Sequence, residues 1–278
     1  MTNTIGTSRP EPYAGQVLDP RPFTVTPELL AHYRGGLDVE PRPAPPLMVA
    51  NAIDTGGVLL FSQQKGHLWL RQEWEFFAPL EQDVTYTVEG RVAGIYPRKE
   101  RTILLTETIL RDAAGHVVST QRHHQSFLLD RPPGEVILRD PKQKEGARSF
   151  EIPAGRDLGA IERTVTLEMC GEFFHGSRSY HSDKEQSRAL GFRDVVVGGR
   201  MTMGYAGELL DSTLGDPWAR SGRLLVKFTN VLWPGETIRT RAVLPGPLED
   251  DPSRQRVFAW VEKTDGTIVL VAEGSFAG

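Results

Sequence analysis

The densest run of chemically capable side chains lies between Phe173 and Leu210. Arg178-Ser179-Tyr180-His181-Ser182-Asp183 is followed by Gly191-Phe192, and then by Gly198-Gly199-Arg200-Met201, which opens an apolar helical pattern. A histidine near neutral pKa can act as a general base, and free N–H groups at a glycine-opened helix start can polarise a carbonyl. Together they suit proton transfer beside a polarised carbonyl group.

Most of these residues also have a plainer reading. His181 is either one member of an acid–base pair or a histidine that satisfies a carbonyl or caps a helix. Asp183 either orients the imidazole or caps a short helix over Lys184 to Leu190, and Gln186 three residues on favours the cap. Gly198 and Gly199 either present N–H groups to a developing oxyanion or let the helix pack tightly under a sheet. Arg178 either carries a fixed charge to the pocket or bridges to a surface acid.

The elements that must position these residues occur twice. In the first half, Pro45 to Ala50 opens a helical pattern, followed by a β-rich run from Leu68 to Phe77, a turn over Ala78 to Asp83 and an alternating strand from Val84 to Val92. In the second half, Gly199 to Leu210, Leu224 to Leu232, Trp233-Pro234-Gly235-Glu236 and Thr237 to Val243 repeat the order. The hairpins Leu110 to Val118 and Val261 to Val269 each place a glycine, Gly115 and Gly266, where a tight turn needs positive φ. This reads as a tandem duplication. The N-terminal unit is expected over 1–135, a polar, breaker-rich linker over 136–156 and the C-terminal unit over 157–278. Met201, Tyr205 and Leu209, with Met203, Ala206 and Leu210 beside them, make the second helix apolar on most faces, so it must be buried. The expected fold class is α+β: two antiparallel sheets, each wrapped around a central helix, joined edge to edge into one continuous sheet.

Composition narrows the function. The chain has 278 residues, 39% hydrophobic and 24% charged, the balance of a globular protein with a real core. A net charge of −4 with interspersed signs argues against a nucleic-acid surface. Arg98-Lys99-Glu100-Arg101 reads as a solvated hairpin tip. The single cysteine, Cys170, excludes an internal disulfide and a cysteine-rich metal cage, and its apolar neighbours predict a buried thiol. His123 and His124 face opposite sides of a strand over Val117 to Leu129, so no metal is expected. Phosphate-binding glycine loops are absent. No apolar run approaches the ~18 residues of a membrane span and Met1 to Pro12 lacks signal-peptide regions, so no membrane contact and a cytoplasmic location are expected.

His181-Ser182-Asp183, Ala189-Leu190-Gly191-Phe192 and Gly198-Gly199-Arg200-Met201 resemble the stretch "H-x-D, A-x-G-F, (H/G)-G-x-M" of the MaoC-like, R-specific enoyl-CoA hydratases, which have a double hot-dog fold. The first half resembles a FAS1-type dehydratase half through Tyr33 to Asp38, Ala44-Pro45-Pro46, and Glu73-Trp74-Glu75-Phe76 leading into Pro79. The resemblance covers nearly the whole chain. It departs from the family pattern D-x-N-P-x-H at Gly176 and Arg178. Ser177 to Asp183 is closer to the N-x-H-R-I-H-Y-D of mesaconyl-C4-CoA hydratases and 3-hydroxyacyl-thioester dehydratases, with Arg178 at the first histidine.

The resemblance implies a lyase that interconverts an enoyl and a hydroxyacyl thioester, CoA- or carrier-bound. It implies no other cofactor, a small-molecule acyl thioester as partner, and a homodimer. In that scheme His181 is the principal acid–base residue, Asp183 orients it, and His175 replaces the missing aspartate. Gly198, Gly199 and Met201 hold the thioester, Tyr180 forms a pocket wall, and Arg178 pairs with a carboxylate on the acyl group. A hot-dog thioesterase, a biosynthetic dehydratase or cyclase, and a non-catalytic acyl-thioester binding protein remain the alternatives.

Overall fold

The computed structural model describes residues 10–64, 66–129, 150–175 and 179–278. The first half contains β1 (Val17–Thr24), α1 (Pro27–Leu37), a short 3-10 helix at Leu47–Ala50, β2 (Leu68–Phe76), β3 (Thr85–Arg98), β4 (Arg101–Arg111) and β5 (Val117–Phe127). The second contains β6 (Arg156–Thr164), α2 (Leu167–Phe173), α3 (Lys184–Ala189), α4 (Gly199–Ser221), β7 (Arg223–Phe228), β8 (Thr237–Pro247), β9 (Arg254–Lys263) and β10 (Ile268–Ala277). All ten strands join one antiparallel sheet in the order β1-β3-β4-β5-β2-β7-β10-β9-β8-β6. The expected linker over 136–156 falls largely on 130–149, outside the described residues.

The duplication is visible in the strand order and in the register. The sequence β1-β3-β4-β5-β2 is mirrored by β6-β8-β9-β10-β7, and the halves meet where Glu73 of β2 faces Leu225 of β7. Leu110 faces Ser119 in one hairpin and Val261 faces Leu270 in the other. Their turn glycines, Gly115 and Gly266, have φ of 85° and 80°. The hydroxyls of Thr24 and Thr85, and again of Thr164 and Thr237, lie 2.7 Å apart. Thr26 and Thr166 then cap α1 and α2 by accepting from Leu29 N and Met169 N. The repeated Thr-Val-Thr at 24–26 and 164–166 is therefore a second mark of the duplication.

The halves differ in their helices. Gly199 does open a buried helix, and it runs beyond Leu210 to Ser221, broken at Gly215 (φ 60°, ψ −139°). Pro45 to Ala50 does not open its counterpart, so the expectation of a central helix in each half is corrected. The chain makes one 3-10 turn and stops at Asn51, whose Oδ1 accepts from the N–H groups of Ile53 and Asp54 at 3.0 and 3.2 Å. A side chain that binds its own backbone in this way competes with helix continuation.

Helices α1 and α2 pack against one another, and Gly36 sets their approach: a Cβ there would overlap the Phe173 backbone and Cβ. Gly36→Ala should therefore destabilise the fold by about 1–3 kcal/mol in urea unfolding. Gly171→Ala, in α2 with nothing within 4 Å of the added Cβ, should be neutral or stabilise by up to ~1 kcal/mol. Equal effects at both positions would mean that the close approach is not what holds the helices.

Candidate active site

Two short elements carry His181 to the start of α4. Asp183 caps α3 by accepting from Glu185 N (2.9 Å) and Gln186 N (3.0 Å), which fixes the turn that precedes it. His181 Nδ1 lies 2.8 Å from the carbonyl oxygen of Val196, two residues before Gly198. A carbonyl only accepts, so Nδ1 carries the proton and Nε2 keeps a lone pair. Phe174 stacks on the imidazole at 4.9 Å and 17°, and Tyr180 tilts against it at 3.8 Å.

Phe174 connects this histidine to the helix start. Its ring lies so close to Gly198 that a Cβ there would overlap it, and Trp69 and Phe228 approach Gly199 in the same way. The glycines thus have a packing reason. They also leave the first turn of α4 without a side-chain cap, so its N–H groups keep their partial positive charge. The Arg200 guanidinium sits 4.6 Å from the Phe174 ring centroid and pairs with Asp54 from the first half. Burial pulls Arg200 down to about 10, which leaves it a cation. Asp54, Arg200, Phe174 and His181 form one connected line across the two halves.

A second line reaches the site from the loop before β2. Gln125 donates from Nε2 to His67 Nε2 at 3.2 Å, so His67 is protonated on Nδ1 and donates to Tyr180 Oη at 3.0 Å. His67 also stacks on Phe127 at 4.7 Å. The Tyr180 oxygen is therefore an acceptor toward His67, which leaves its own proton for another partner.

The other expected residues fall in different surroundings. His175 is exposed, with φ 59°, and stacks on His32 at 4.5 Å rather than on His181. Met201 is buried, with its sulfur 4.0 Å from Cys170 Sγ, and the Cys170 thiol is pushed up to about 12 by burial. Arg178 and Gly176 lie outside the described residues. His124 reaches Glu73 at 3.0 Å on one face of β5 while His123 reaches Gln72 on the other. Among the described residues no group of three or more His, Cys, Asp or Glu is placed to hold a metal ion, and no helix is long and apolar enough to cross a membrane. His67, Trp69 and the Arg200–Asp54 pair were not candidates in the sequence, because their partners come from the other half or from distant strands.

Residues 156–264 match the family model described as MaoC like domain. The peroxisomal hydratase-dehydrogenase-epimerase of Saccharomyces cerevisiae is 28% identical over 146 residues, which is 50% of this chain and 15% of that protein. The chain thus spans only a small part of that relative. A MaoC-like dehydratase structure superposes with a TM-score of 0.71 at 16% identity, covering 95% of this chain and 98% of the other. A conserved hypothetical protein from Mycobacterium tuberculosis, described as having a double hotdog fold, gives 0.63 at 16% identity, covering 95% and 96%. The likeness to these structures shows an α+β double hot-dog fold, and the match to the MaoC like domain model falls on residues 156–264 in its second half.

The site histidines are held neutral. Burial, helped for His67 by His181 and Arg101, pulls His67 down to about 3, and burial pulls His181 to about 4 against its bond to Val196. The unfolded chain takes up these protons near pH ~6.5, the folded chain only near 4 and 3, so the unfolded state binds more protons in between. Stability should be full above pH ~6.5 and fall as the pH drops toward these lower values. Urea midpoints from pH 8 to 4 should show this decline, and His67→Gln should flatten it. An unchanged slope in the variant would remove His67 as a cause.

Proposed function

We propose that the protein is a hydratase/dehydratase that interconverts enoyl and β-hydroxyacyl thioesters, with His181 Nε2 as the acid–base atom. The observation that carries this reading is the bond from His181 Nδ1 to Val196 O, which leaves a basic nitrogen beside the uncapped start of α4. The MaoC-like domain supports the reaction class, and the yeast relative's name includes hydratase.

In the hydration direction Nε2 takes a proton from water as the oxygen bonds to the β-carbon. Electrons move onto the thioester oxygen, where the first-turn N–H groups of α4 stabilise the charge. The imidazolium then returns the proton to the α-carbon on the same face, so one imidazole completes a syn addition. This accommodates Gly176, since glycine there supplies no second carboxyl group. Tyr180 and Phe174 hold the ring in plane, and Arg200 with Asp54 holds Phe174.

His181→Gln should lower turnover of enoyl-CoA esters by roughly 10²–10⁴ while thermal unfolding and thioester binding persist. Loss of enoyl absorbance, with free thiol followed in parallel, checks it. Near-normal hydration in the variant contradicts the assignment, and thiol release without hydration would point to a thioesterase instead.

A further inference from the structure

The two halves share a register but not a lining. In the second half Val257 faces Gly274 and Ala259 faces Ala272, small apolar pairs of the sheet face that packs on α4. The matching pairs of the first half are Thr106 with His123 and Thr108 with Gln121. Gln125 lies two residues further along β5, on the same face, and Gln72 is the β2 neighbour of His123. All six are buried. Where a helix would lie, the first half carries a polar row.

Hydrogen bonds give this row a direction. The Gln121 amide is fixed by backbone at both ends, donating to Ala50 O and accepting from Ala52 N, each at 2.7 Å. Gln72 Nε2 donates to the same Gln121 oxygen at 3.1 Å, so Gln72 Oε1 must accept from His123 Nδ1, at 2.9 Å. His123 consequently carries its proton on Nδ1, and Nε2 is a bare lone pair. His123 Nε2, Gln125 Oε1 and the hydroxyls of Thr106 and Thr108 are buried without a hydrogen-bond partner among the described residues. Orphaned buried polar atoms are uncommon, and four on one sheet face ask for an occupant. The row also abuts the site already described: Trp69 meets His123 edge-on at 4.3 Å, and its ring lies 2.9 Å from where a Cβ of Gly199 would be.

We propose that this row is a specificity subsite for an uncharged hydroxyl group on the acyl portion of the substrate, the hydroxyl donating its proton to His123 Nε2. This rests on the acyl-thioester reading above. A plain alkyl end leaves the bare lone pairs unpaired, and a carboxylate sets its own lone pairs against them. A hydroxyl donates to the imidazole and can accept from Thr106 in return.

The test uses enoyl-CoA esters of equal chain length ending in methyl, hydroxymethyl or carboxylate, with kcat/KM and equilibrium binding measured on the full chain. The hydroxymethyl ester should be preferred over the methyl ester by roughly tenfold, the scale of one hydrogen bond. His123→Leu should abolish that preference and leave the methyl ester as good or better. His123→Asn, which keeps a donor toward Gln72 but deletes Nε2, should do the same, and covers the case in which the leucine variant does not fold. Turnover of all three esters without discrimination, preference for the carboxylate, or equal losses on every ester in both variants would overturn the subsite alone. Neither binding nor turnover of any ester would overturn the thioester reading, and the subsite with it.

Discussion

One helix is shared by two half-sheets, and the rest of the arrangement follows from that. Buried from Arg200 to Leu210, α4 packs an apolar surface under its own strands while a second face, carrying Arg200, Gly204, Gly207, Glu208 and Asp211, turns to the first half. Gly204 and Gly207 admit Tyr33, Leu37 and Met48 at distances that a Cβ would crowd. Arg42 pairs with Glu208 at 2.5 Å, and Asp211 accepts from Leu47 N and Trp218 Nε1. Burial raises both carboxyls, Asp211 to about 7. A charged contact of this kind specifies a partner more than it stabilises, since desolvation offsets most of its attraction. Here it fixes the 42–54 segment, which stands in place of a counterpart to α4.

The same helix fixes the candidate site. Its uncapped N-terminus lies where rings from both halves converge: Trp69 from the first, and Phe174 and Phe228 from the second. The histidine near it is held by the Val196 carbonyl, in the segment that leads into the helix, and by stacked rings. Burial among these rings keeps the imidazole neutral, and the carbonyl engages only Nδ1–H, so Nε2 keeps its lone pair. A water-filled surround would restore the ordinary histidine pKa and free the ring to rotate.

Features set by local rules were legible in the sequence. The Asp183 cap, the turn glycines Gly115 and Gly266 and the buried face of Met201, Tyr205 and Leu209 each depend on residues within a turn or two, and each is found as expected. The absence of a central helix at Pro45 to Ala50 was not legible. Pro45 to Ala50 has the apolar character of a helix start, and the side chain of Asn51 ends it after one 3-10 turn. Buried charge was also hidden, because Arg200 finds Asp54 across the two halves and nothing near Arg200 in the chain announces that partner. His67 had no motif at all, and its partners Gln125 and Tyr180 come from distant segments.

The state of the His181 ring can be read directly by nitrogen-15 NMR of the labelled imidazole. If Val196 holds Nδ1–H and burial keeps the ring neutral, the spectrum shows a protonated Nδ1 and an unprotonated Nε2 at pH 7, with no titration until the pH nears about 4. A proton on Nε2 at pH 7, or titration at the ordinary histidine value, would contradict the assignment of Nε2 as the base.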